Sequence, residues 1–249
     1  MIELQHVTVI YNKGTLDEKV ALNDVEFSVE EGQFVVIVGA NGAGKSTLMK
    51  VIVGEVKPTF GVCRVMGQVL KEEKIFKCGS IVCQDPNLGI FPNLSIEENL
   101  MLARKKGFRG FGFGRVDERA VQLLKSTGLG LEENLKKKAS KLSGGQKQAL
   151  AIVMAVSSNP KILLLDEHTA SLDPKSTEKI MELTDRINKE LGTTILMITH
   201  DMNIAEQYGE QVIVMEDGKI IARIDKSKQK IQASQLKSMI KSKLTTTTT

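Results

Sequence analysis

One strand–loop–helix segment limits the fold of this chain more than any other feature. Residues 34–38 form a continuous apolar run, which is typical of a strand buried on both faces. A glycine-rich stretch that fits GxxxxGK[ST] follows and leads into a predicted helix; its residues are Gly39, Ala40, Asn41, Gly42, Ala43, Gly44, Lys45, Ser46 and Thr47. In this context glycines turn backbone N–H groups towards phosphate oxygens, and the helix N-terminus adds partial positive charge. The sequence therefore predicts a phosphate-binding loop; a glycine-rich turn that only caps a helix is the alternative.

A second segment supplies acidic groups that complement this loop. Lys45 should reach the β- and γ-phosphates of a nucleotide, and Ser46 should ligate Mg²⁺. The apolar strand Ile162–Asp166 delivers two carboxylates, those of Asp166 and Glu167, to the edge where open α/β sheets bind ligands. Because strand side chains alternate, Asp166 is expected to hold Mg²⁺ through its water shell, while Glu167 could polarise an attacking water. Taken alone, such a strand end could simply be solvated.

A third motif, Leu142-Ser143-Gly144-Gly145-Gln146, stands immediately before a predicted helix. A serine and two glycines at a helix start offer a hydroxyl and backbone N–H groups to an anion, so the motif predicts a second phosphate-binding surface. A simple helix cap is the alternative. One bound nucleotide needs only one such surface, which raises the question of what the second one contacts.

The phosphate loop, the acidic strand end and the LSGGQ sequence together resemble the ABC ATPases, in motifs that cover nearly the whole chain. In that family two subunits pack head to tail, and each signature loop closes over the γ-phosphate held by the other subunit. The resemblance implies a P-loop NTPase (RecA-like) α/β core with an antiparallel β subdomain and an inserted α-helical subdomain. It also implies ATP and Mg²⁺ as cofactors and ATP hydrolysis as the activity.

The resemblance assigns roles to further positions. Tyr11 occupies the place of the aromatic that stacks on adenine, and Gln84 that of the Q-loop glutamine. Ser171-Leu172-Asp173 matches the loop after the acidic strand end, and His200 matches the histidine that contacts the γ-phosphate. Singly, each has a plain structural explanation, and their order along the chain carries the argument. The resemblance implies Glu167 and His200 as catalytic residues, and Ser46, Gln84 and Asp166 as the residues that bind Mg²⁺. The implied nucleotide-binding residues within one chain are Tyr11, Gly39, Ala40, Asn41, Gly42, Ala43, Gly44, Lys45, Ser46, Thr47, Gln84 and Asp166. Those contributed across the dimer by the other chain are Ser143, Gly144, Gly145 and Gln146.

The whole chain is predicted to form one domain of this family. Residues 1–85 and 161–230 are assigned to the α/β core with its antiparallel strands, residues 86–160 to the helical subdomain with the signature loop, and residues 231–249 to a C-terminal helix and tail. Ser95 and Glu98 form a predicted capping box, and Asp217-Gly218 a predicted hairpin turn. Residues 105–115, rich in glycine, phenylalanine and basic side chains, are predicted to be a surface loop.

Composition and cysteine content indicate the class of protein and its compartment. With 41% hydrophobic and 26% charged residues, the chain has ordinary globular composition. Its net charge of +4 is too weak to predict nucleic-acid binding, although lysine runs lie near Lys136 and Lys226. Cys63, Cys78 and Cys83 lack CxxC spacing, and no signal segment precedes them, so reduced thiols in the cytoplasm are expected. No apolar run reaches the roughly 18 residues of a spanning helix, so another chain is expected to cross the membrane.

Two departures from the family pattern indicate a subgroup. The family usually has proline after the acidic strand end, whereas His168 follows here in DEHTASLDP, and the helix after LSGGQ reads KQALAIVMAV without the common arginine. Both variants resemble bacterial importer ATPases that accompany solute-binding lipoproteins and permeases of the ribose and branched-chain amino-acid type. Some of these look like aromatic amino-acid importers. His168 is interpreted as a replacement tolerated in a turn, not as a second catalytic base.

The sequence thus predicts a transporter ATPase subunit, peripheral at the cytoplasmic face of the cell membrane. Its expected partners are a second copy of itself, permease subunits whose coupling helix is received near Gln84 and residues 86–100, and a separate solute-binding lipoprotein. Import of an amino-acid-like solute is favoured. An ABC exporter subunit and a non-transport ABC ATPase of the iron–sulfur assembly type are the alternatives. The latter group carries a different signature loop, and a neighbouring lipoprotein gene would favour import over export.

Overall fold

The computed structural model describes residues 1–69, 79–104, 116–230 and 232–241. The chain divides into two compact units, Met1–Cys78 with Thr194–Thr249 and Gly79–Thr193, here called the first and the second unit. The loop predicted at 105–115 and the end of the tail lie outside the described residues, as does Cys78. The subdomain limits expected from the sequence stay a prediction.

Strands alternate with helices over much of the described chain. The strands are β1 (Ile2–Tyr11), β2 (Lys19–Val29), β3 (Phe34–Gly39), β4 (Phe60–Val65), β5 (Gln68–Val69), β6 (Gly79–Val82), β7 (Ile162–Asp166), β8 (Thr194–Ile198), β9 (Gln211–Glu216) and β10 (Lys219–Asp225). The α-helices are α1 (Lys45–Val53), α2 (Ile96–Arg104), α3 (Glu118–Ser126), α4 (Gly144–Val156), α5 (Pro174–Leu191), α6 (Met202–Tyr208) and α7 (Ala233–Lys241). Short 3₁₀ turns lie at Pro86–Leu88, Glu132–Asn134 and Ala139–Lys141.

The first unit contains an antiparallel sheet with the strand order β2-β1-β4-β5. Along β1 the side chains of Ile2, Leu4, Val7 and Val9 are buried. The pairing of β1 with β2 shifts register between Leu4 and Val7, which keeps these apolar residues on one face despite their odd spacing. The antiparallel strands predicted for this part of the chain are confirmed.

The first unit also contains parallel strands that position the phosphate loop. β3 lies between β9 and β8 and is parallel to both. All six residues of β3 are buried, as the continuous apolar run predicted. β9 turns back through Asp217 and Gly218, whose φ values are 46° and 74°, into the antiparallel β10. These positive φ values are those of a tight hairpin turn, so that prediction is confirmed.

The C-terminal helix predicted from the sequence is confirmed over its described part, which is α7. The seven-residue α6, which was not predicted, begins at Asp201, whose side chain accepts the N–H groups of Asn203 and Ile204. Within the described ranges, no helix combines the length and the apolar character that crossing a membrane requires.

The second unit is built around helix α4 and a pair of parallel strands. β6 runs parallel to β7, with Gly79 opposite Ile162 and Val82 opposite Leu165. Nine of the thirteen residues of α4 are buried, because this helix packs against α2, α3, α5 and β6. Parallel strands flanked by helices, together with a separate antiparallel sheet, agree with the predicted α/β class.

The start of helix α2 confirms the predicted capping box. The Ser95 N–H donates to Glu98 Oε2 at 2.6 Å, and the Glu98 N–H donates to Ser95 Oγ at 3.2 Å. These bonds to Ser95 are the main reason why the pKa of the Glu98 carboxyl lies below its ordinary value. Within residues 116–127, whose apolar side chains recur at helical spacing, the structure forms α3.

Candidate nucleotide-binding site

The phosphate loop leaves the carboxyl end of β3 and enters α1. Lys45 is only 6% exposed, and its ammonium donates to the carbonyl oxygens of Gly39 at 2.8 Å and Ala40 at 3.0 Å. These bonds fold the lysine back over the loop and satisfy a charge that is otherwise costly to bury. The ammonium therefore already lies within the turn where phosphate oxygens would be bound.

The N-terminus of α1 is open to an anion. Its cap residue, Gly44, has φ 97° and provides no side-chain cap, and the first turn of the helix contains no acidic residue. A side chain could not replace glycine here, since a Cβ on Gly44 would lie 2.6 Å from the carbonyl oxygen of Ala21. Asn41 and Ser46 are exposed beside it. Uncapped N–H groups, the helix dipole and a lysine make this a surface that fits the phosphates of ATP.

Two other sequence-predicted site residues lie in the same unit. β8 is parallel to β3, and the Thr199 N–H donates to the Ile37 carbonyl oxygen at 3.1 Å. The exposed His200 therefore emerges from the same carboxyl edge as the phosphate loop. Tyr11 is the last residue of β1, opposite Lys19, and is partly exposed.

Three further predicted residues meet at one strand edge of the second unit. β6 and β7 are parallel, and Val82 pairs with Leu165. Gln84 lies two residues after Val82, and Glu167 lies two residues after Leu165. Asp166 is the last residue of β7. The structure thus brings Gln84, Asp166 and Glu167 to a common edge, the carboxyl edge at which parallel sheets of this kind bind ligands.

The backbone of Glu167 has an unusual conformation, with φ 47°. Left-handed backbone is unfavourable for a side chain of this size, by about 1–2 kcal/mol. A turn holds it, since the Ala170 N–H donates to the Glu167 carbonyl oxygen at 3.0 Å. The chain therefore changes direction at the predicted catalytic carboxylate, which a sequence pattern alone does not reveal.

The donor set suits a metal that is held largely by phosphate. Within the described parts of the chain, no group of three or more His, Cys, Asp or Glu residues could enclose a metal ion. In the first unit Ser46 presents an exposed hydroxyl, and in the second unit Asp166 presents a carboxylate at a strand end; each is an oxygen donor of the kind that Mg²⁺ takes beside a nucleotide. The residues present thus fit Mg²⁺ and do not resemble a self-contained metal centre.

His168 lies in a turn, as predicted, and it is buried. Its side chain is 1% exposed, and neither ring nitrogen has a hydrogen-bond partner among the described residues. Burial lowers the pKa of the imidazole to about 3, so the ring is neutral at physiological pH. A neutral ring shielded from solvent is consistent with the interpretation that His168 is not a second base.

The signature motif forms the capped start of α4. Ser143 Oγ accepts the Gln146 N–H at 3.3 Å, and Gln146 Oε1 accepts the Ser143 N–H at 3.1 Å. The Gln146 amide also donates to the Leu129 carbonyl oxygen at 3.0 Å, which fixes this side chain in place. A hydroxyl that accepts one bond can still donate its own hydrogen, so Ser143 is a cap that remains able to bind an anion.

Gly145 must be a glycine because helix α5 lies directly against it. A Cβ at this position would lie 2.7 Å from Ser176 Oγ and 2.8 Å from Ser176 Cβ. Ser176 is placed there by Asp173, whose carboxylate caps α5 by accepting the Ser176 N–H at 3.0 Å. That contact with Ser176 is the main cause that lowers the pKa of Asp173. Ser176 was missed by sequence reasoning, since it belongs to no motif.

The second unit also has an open groove, in the region near Gln84 and residues 86–100 where the resemblance placed the permease contact. It has a cavity volume of about 360 Å³ and is bounded by β6, the turn after it, α2 and α4. The lining residues are Ser80, Ile81, Val82, Cys83, Asp85, Pro86, Leu88, Gly89, Phe91, Leu102, Ala103, Ala151, Met154, Ala155 and Ser158. Ile81, Leu88, Phe91 and Leu102 expose large apolar surfaces, while Ser80 Oγ is buried without a hydrogen-bond partner among the described residues. We call this feature the α2–α4 groove.

Two sequence comparisons relate this chain to proteins of known type. The family profile described as "ABC transporter" matches residues 22–170. The tyrosine transport ATP-binding protein of Clostridioides difficile is 34% identical over 244 residues, which are 95% of this chain and 97% of that protein. The methionine import ATP-binding protein MetN of Escherichia coli is 38% identical over 231 residues, which are 89% of this chain and 64% of that longer protein.

Solved structures show the same fold. The dimeric structure of MJ0796, described as a bacterial ABC transporter cassette, has a TM-score of 0.77 and 36% identity and covers 90% of this chain and 98% of that chain. The same cassette in a post-hydrolysis state bound to ADP and Pi gives a TM-score of 0.75. The cbiO1 protein of Clostridium perfringens, part of the cbiONQ transporter complex, has a TM-score of 0.79 and 30% identity and covers 91% and 89% of the two chains. The predicted fold class is therefore confirmed.

Proposed function

This chain belongs to the ABC transporter family of ATP-binding proteins, and from that premise we propose that it is the ATPase subunit of a bacterial importer for an amino-acid-like solute. As a member of this family it binds and hydrolyses ATP. The observation that carries the proposal is the similarity to a tyrosine transport ATP-binding protein over 95% of this chain, together with the phosphate loop, the acidic strand end and the signature motif. The name of the methionine import relative supports the same direction and class of solute.

We assign the phosphates of ATP to the loop at the start of α1. Lys45 is expected to exchange its bonds to Gly39 and Ala40 for bonds to phosphate oxygens, a step that requires little motion of the side chain. Ser46, Gln84 and Asp166 would hold Mg²⁺, which neutralises the charge of the β- and γ-phosphates when bound. Tyr11, at the end of β1, is the proposed platform for adenine.

Glu167 and His200 are the proposed catalytic residues. The Glu167 carboxylate would accept a hydrogen bond from the attacking water and align it with the γ-phosphate. His200 would bind the γ-phosphate from the edge next to β3. The Ser143 hydroxyl and the Gly145 N–H of a second copy of this chain would complete the site, which explains why one chain presents two phosphate-binding surfaces.

The α2–α4 groove is the proposed docking site of the membrane subunit. Its exposed Leu88 and Phe91 provide apolar area for a short helix. A groove of this kind agrees with a peripheral subunit at the cytoplasmic face of a permease. A separate solute-binding lipoprotein is the proposed source of cargo, as the DEHTASLDP variant suggests.

The test of the proposed site is ATP-dependent pairing of Glu167→Gln, measured by light scattering with ATP and Mg²⁺ and by counting bound nucleotide. We expect a nucleotide-bound dimer that Ser143→Arg abolishes. Ser140→Arg is the matched control, since Ser140 is exposed in the same stretch but lies outside the motif, and it should leave pairing intact. If Ser143→Arg and Ser140→Arg paired equally well, the role of the signature serine would be refuted.

The test of the cargo is uptake by cells. Source bacteria that carry Glu167→Gln in place of the wild-type chain should lose uptake of labelled tyrosine or methionine, because hydrolysis no longer resets the subunit. Unchanged uptake of both amino acids would contradict this class of solute while leaving the ATPase assignment in place.

A further inference from the structure

A cluster of lysines lies next to the α2–α4 groove. Lys136, Lys137, Lys138 and Lys141 are all exposed within six residues. None of the four forms an ion pair within 4.0 Å with any residue that the structure describes, and only Lys138 acts on a nearby carboxylate, where it helps to lower the pKa of Glu98. We call residues 135–141 the lysine strap.

Backbone hydrogen bonds hold the lysine strap against one edge of the groove. The Ala139 and Ser140 N–H groups donate to the carbonyl oxygens of Leu94 and Pro92, at 2.9 and 2.8 Å. In the other direction, the N–H groups of residues 96 and 97 donate to the carbonyl oxygens of residues 137 and 135, at 3.1 and 3.0 Å. The segment so fixed follows Phe91, which lines the groove. The lysines are thus held at a defined distance from the apolar surface.

A buried asparagine makes this edge rigid. Asn99 is fully buried, its Oδ1 accepts the Phe91 N–H at 2.7 Å, and its Nδ2 donates to the carbonyl oxygens of Phe91 at 3.1 Å and Ser95 at 2.8 Å. The side chain therefore joins the groove wall to the start of α2. A positive surface on a rigid support can recognise a partner without a large ordering cost.

The charge pattern of the groove distinguishes its floor from its edge. Asp85 is the one ionisable carboxylate among the described lining residues, and the remaining walls are apolar or small. A docked segment would therefore meet apolar surface in the groove and positive charge beside it. We infer that the lysine strap binds acidic side chains that flank the permease segment seated in the groove; this rests on the permease docking proposed above.

A protein partner fits the strap better than a lipid surface does. Glu132 and Glu133 lie just before it, separated from it by Asn134, and Glu133 is exposed, so an acidic side chain lies within a few residues of the lysines. An anionic membrane would repel the glutamates while attracting the lysines, which weakens its net attraction. Discrete acidic side chains placed opposite the lysines avoid that repulsion and add specificity to the apolar contact.

The experiment compares two variants with the same change in charge. The strap variant is Lys136→Glu/Lys137→Glu, and the control is Lys230→Glu/Lys237→Glu. Each replacement lowers the net charge by two, so both variants change it from +4 to 0, and all four lysines are exposed. Sedimentation with urea-washed inverted membrane vesicles from the source bacterium measures binding. The strap variant should bind about tenfold more weakly at low salt, and the difference should shrink as salt screens the charges. The control should bind like the wild-type chain.

Each outcome identifies a different failure. If the wild-type chain does not bind the washed vesicles, the proposed permease docking fails and the inference fails with it. If the strap variant binds like the control, only the inference is overturned. Equal binding of the wild-type chain to protease-shaved vesicles or to phosphatidylglycerol liposomes would mean that the strap binds lipid, which also overturns the inference. ATP-dependent pairing in the Glu167→Gln background checks whether the strap variant folds, because neither lysine belongs to the nucleotide site. If the charge reversal impairs folding, Lys136→Gln/Lys137→Gln replaces it and is expected to give a smaller loss of binding.

Discussion

Replacing Gly145 by alanine should separate two helices that now touch. The added Cβ would lie 2.8 Å from Ser176 Cβ, well inside ordinary van der Waals contact, and a backbone-attached atom of this kind cannot rotate away. α4 and α5 must therefore move apart by several tenths of an ångström, and the cost of such overpacking is about 1–3 kcal/mol in the free energy of unfolding. At about 2–4 °C per kcal/mol for a chain of this size, the thermal midpoint should fall by several degrees.

Gly144→Ala is the matched control for this prediction. Gly144 is the neighbouring exposed glycine, and a Cβ there would meet only Leu172 Cδ2, at 3.6 Å, which is an ordinary contact. Alanine is a better helix former than glycine by about 0.5–1 kcal/mol, so Gly144→Ala should be neutral or stabilising. Both variants are compared with the wild-type chain by circular dichroism during heating, without nucleotide.

A second replacement at Ser176 tests the steric explanation directly. Ser176→Gly removes both atoms that the new methyl group would meet, so Gly145→Ala/Ser176→Gly should lose less stability than the sum of the single variants, with a coupling free energy of about 1 kcal/mol or more. Equal midpoints for Gly145→Ala and Gly144→Ala, or strict additivity in the double variant, would refute the argument.

Two further predictions concern the wall of the groove and the N-terminal sheet. Asn99→Ala should lower the free energy of unfolding by about 1–3 kcal/mol, because it leaves the Phe91 N–H without its acceptor, while the carbonyl oxygens of Phe91 and Ser95 lose one bond each but keep backbone donors; a loss below about 1 kcal/mol in chemical denaturation would contradict this. The exposed His6 Nδ1 lies 2.9 Å from Asp24 Oδ1, and this hydrogen bond is the main reason why the pKa of His6 is raised above 6.5. The stability it contributes is present below pH 6.5 and is lost as the pH rises through the raised folded pKa. NMR titration of the His6 ring should give a lower midpoint in Asp24→Asn, and an unchanged midpoint would refute the role of the pair.

Much of the fold could be predicted from local sequence signals. The run before Gly39 predicted a buried strand because parallel strands are enclosed on both faces. The Ser95 capping box and the Asp217-Gly218 turn were predicted because each depends on residues close together in sequence. Helix α6 was not predicted, since seven residues are too few to show helical periodicity.

The candidate site was predicted in its residues but not in its geometry. The motifs named Glu167, yet the left-handed backbone at this residue depends on the turn that closes at Ala170. Likewise, the signature motif identified Gly145 as a site residue. The reason why this position needs a glycine, contact with Ser176, comes from packing between helices that are apart in sequence. The roles assigned to these residues stay predictions until the variants above are measured.

Helix α4 connects two sites that have so far been treated apart. Ser143 caps its first turn, while Ala151 and Met154, roughly 15 Å along the helix axis, line the α2–α4 groove. Because nine of its thirteen residues are buried, α4 is a closely packed element through which an occupant at one end would affect the other. Thermodynamic linkage then makes the effect reciprocal: whatever factor an occupant of the groove applies to anion affinity at Ser143, the anion applies to the affinity of the groove.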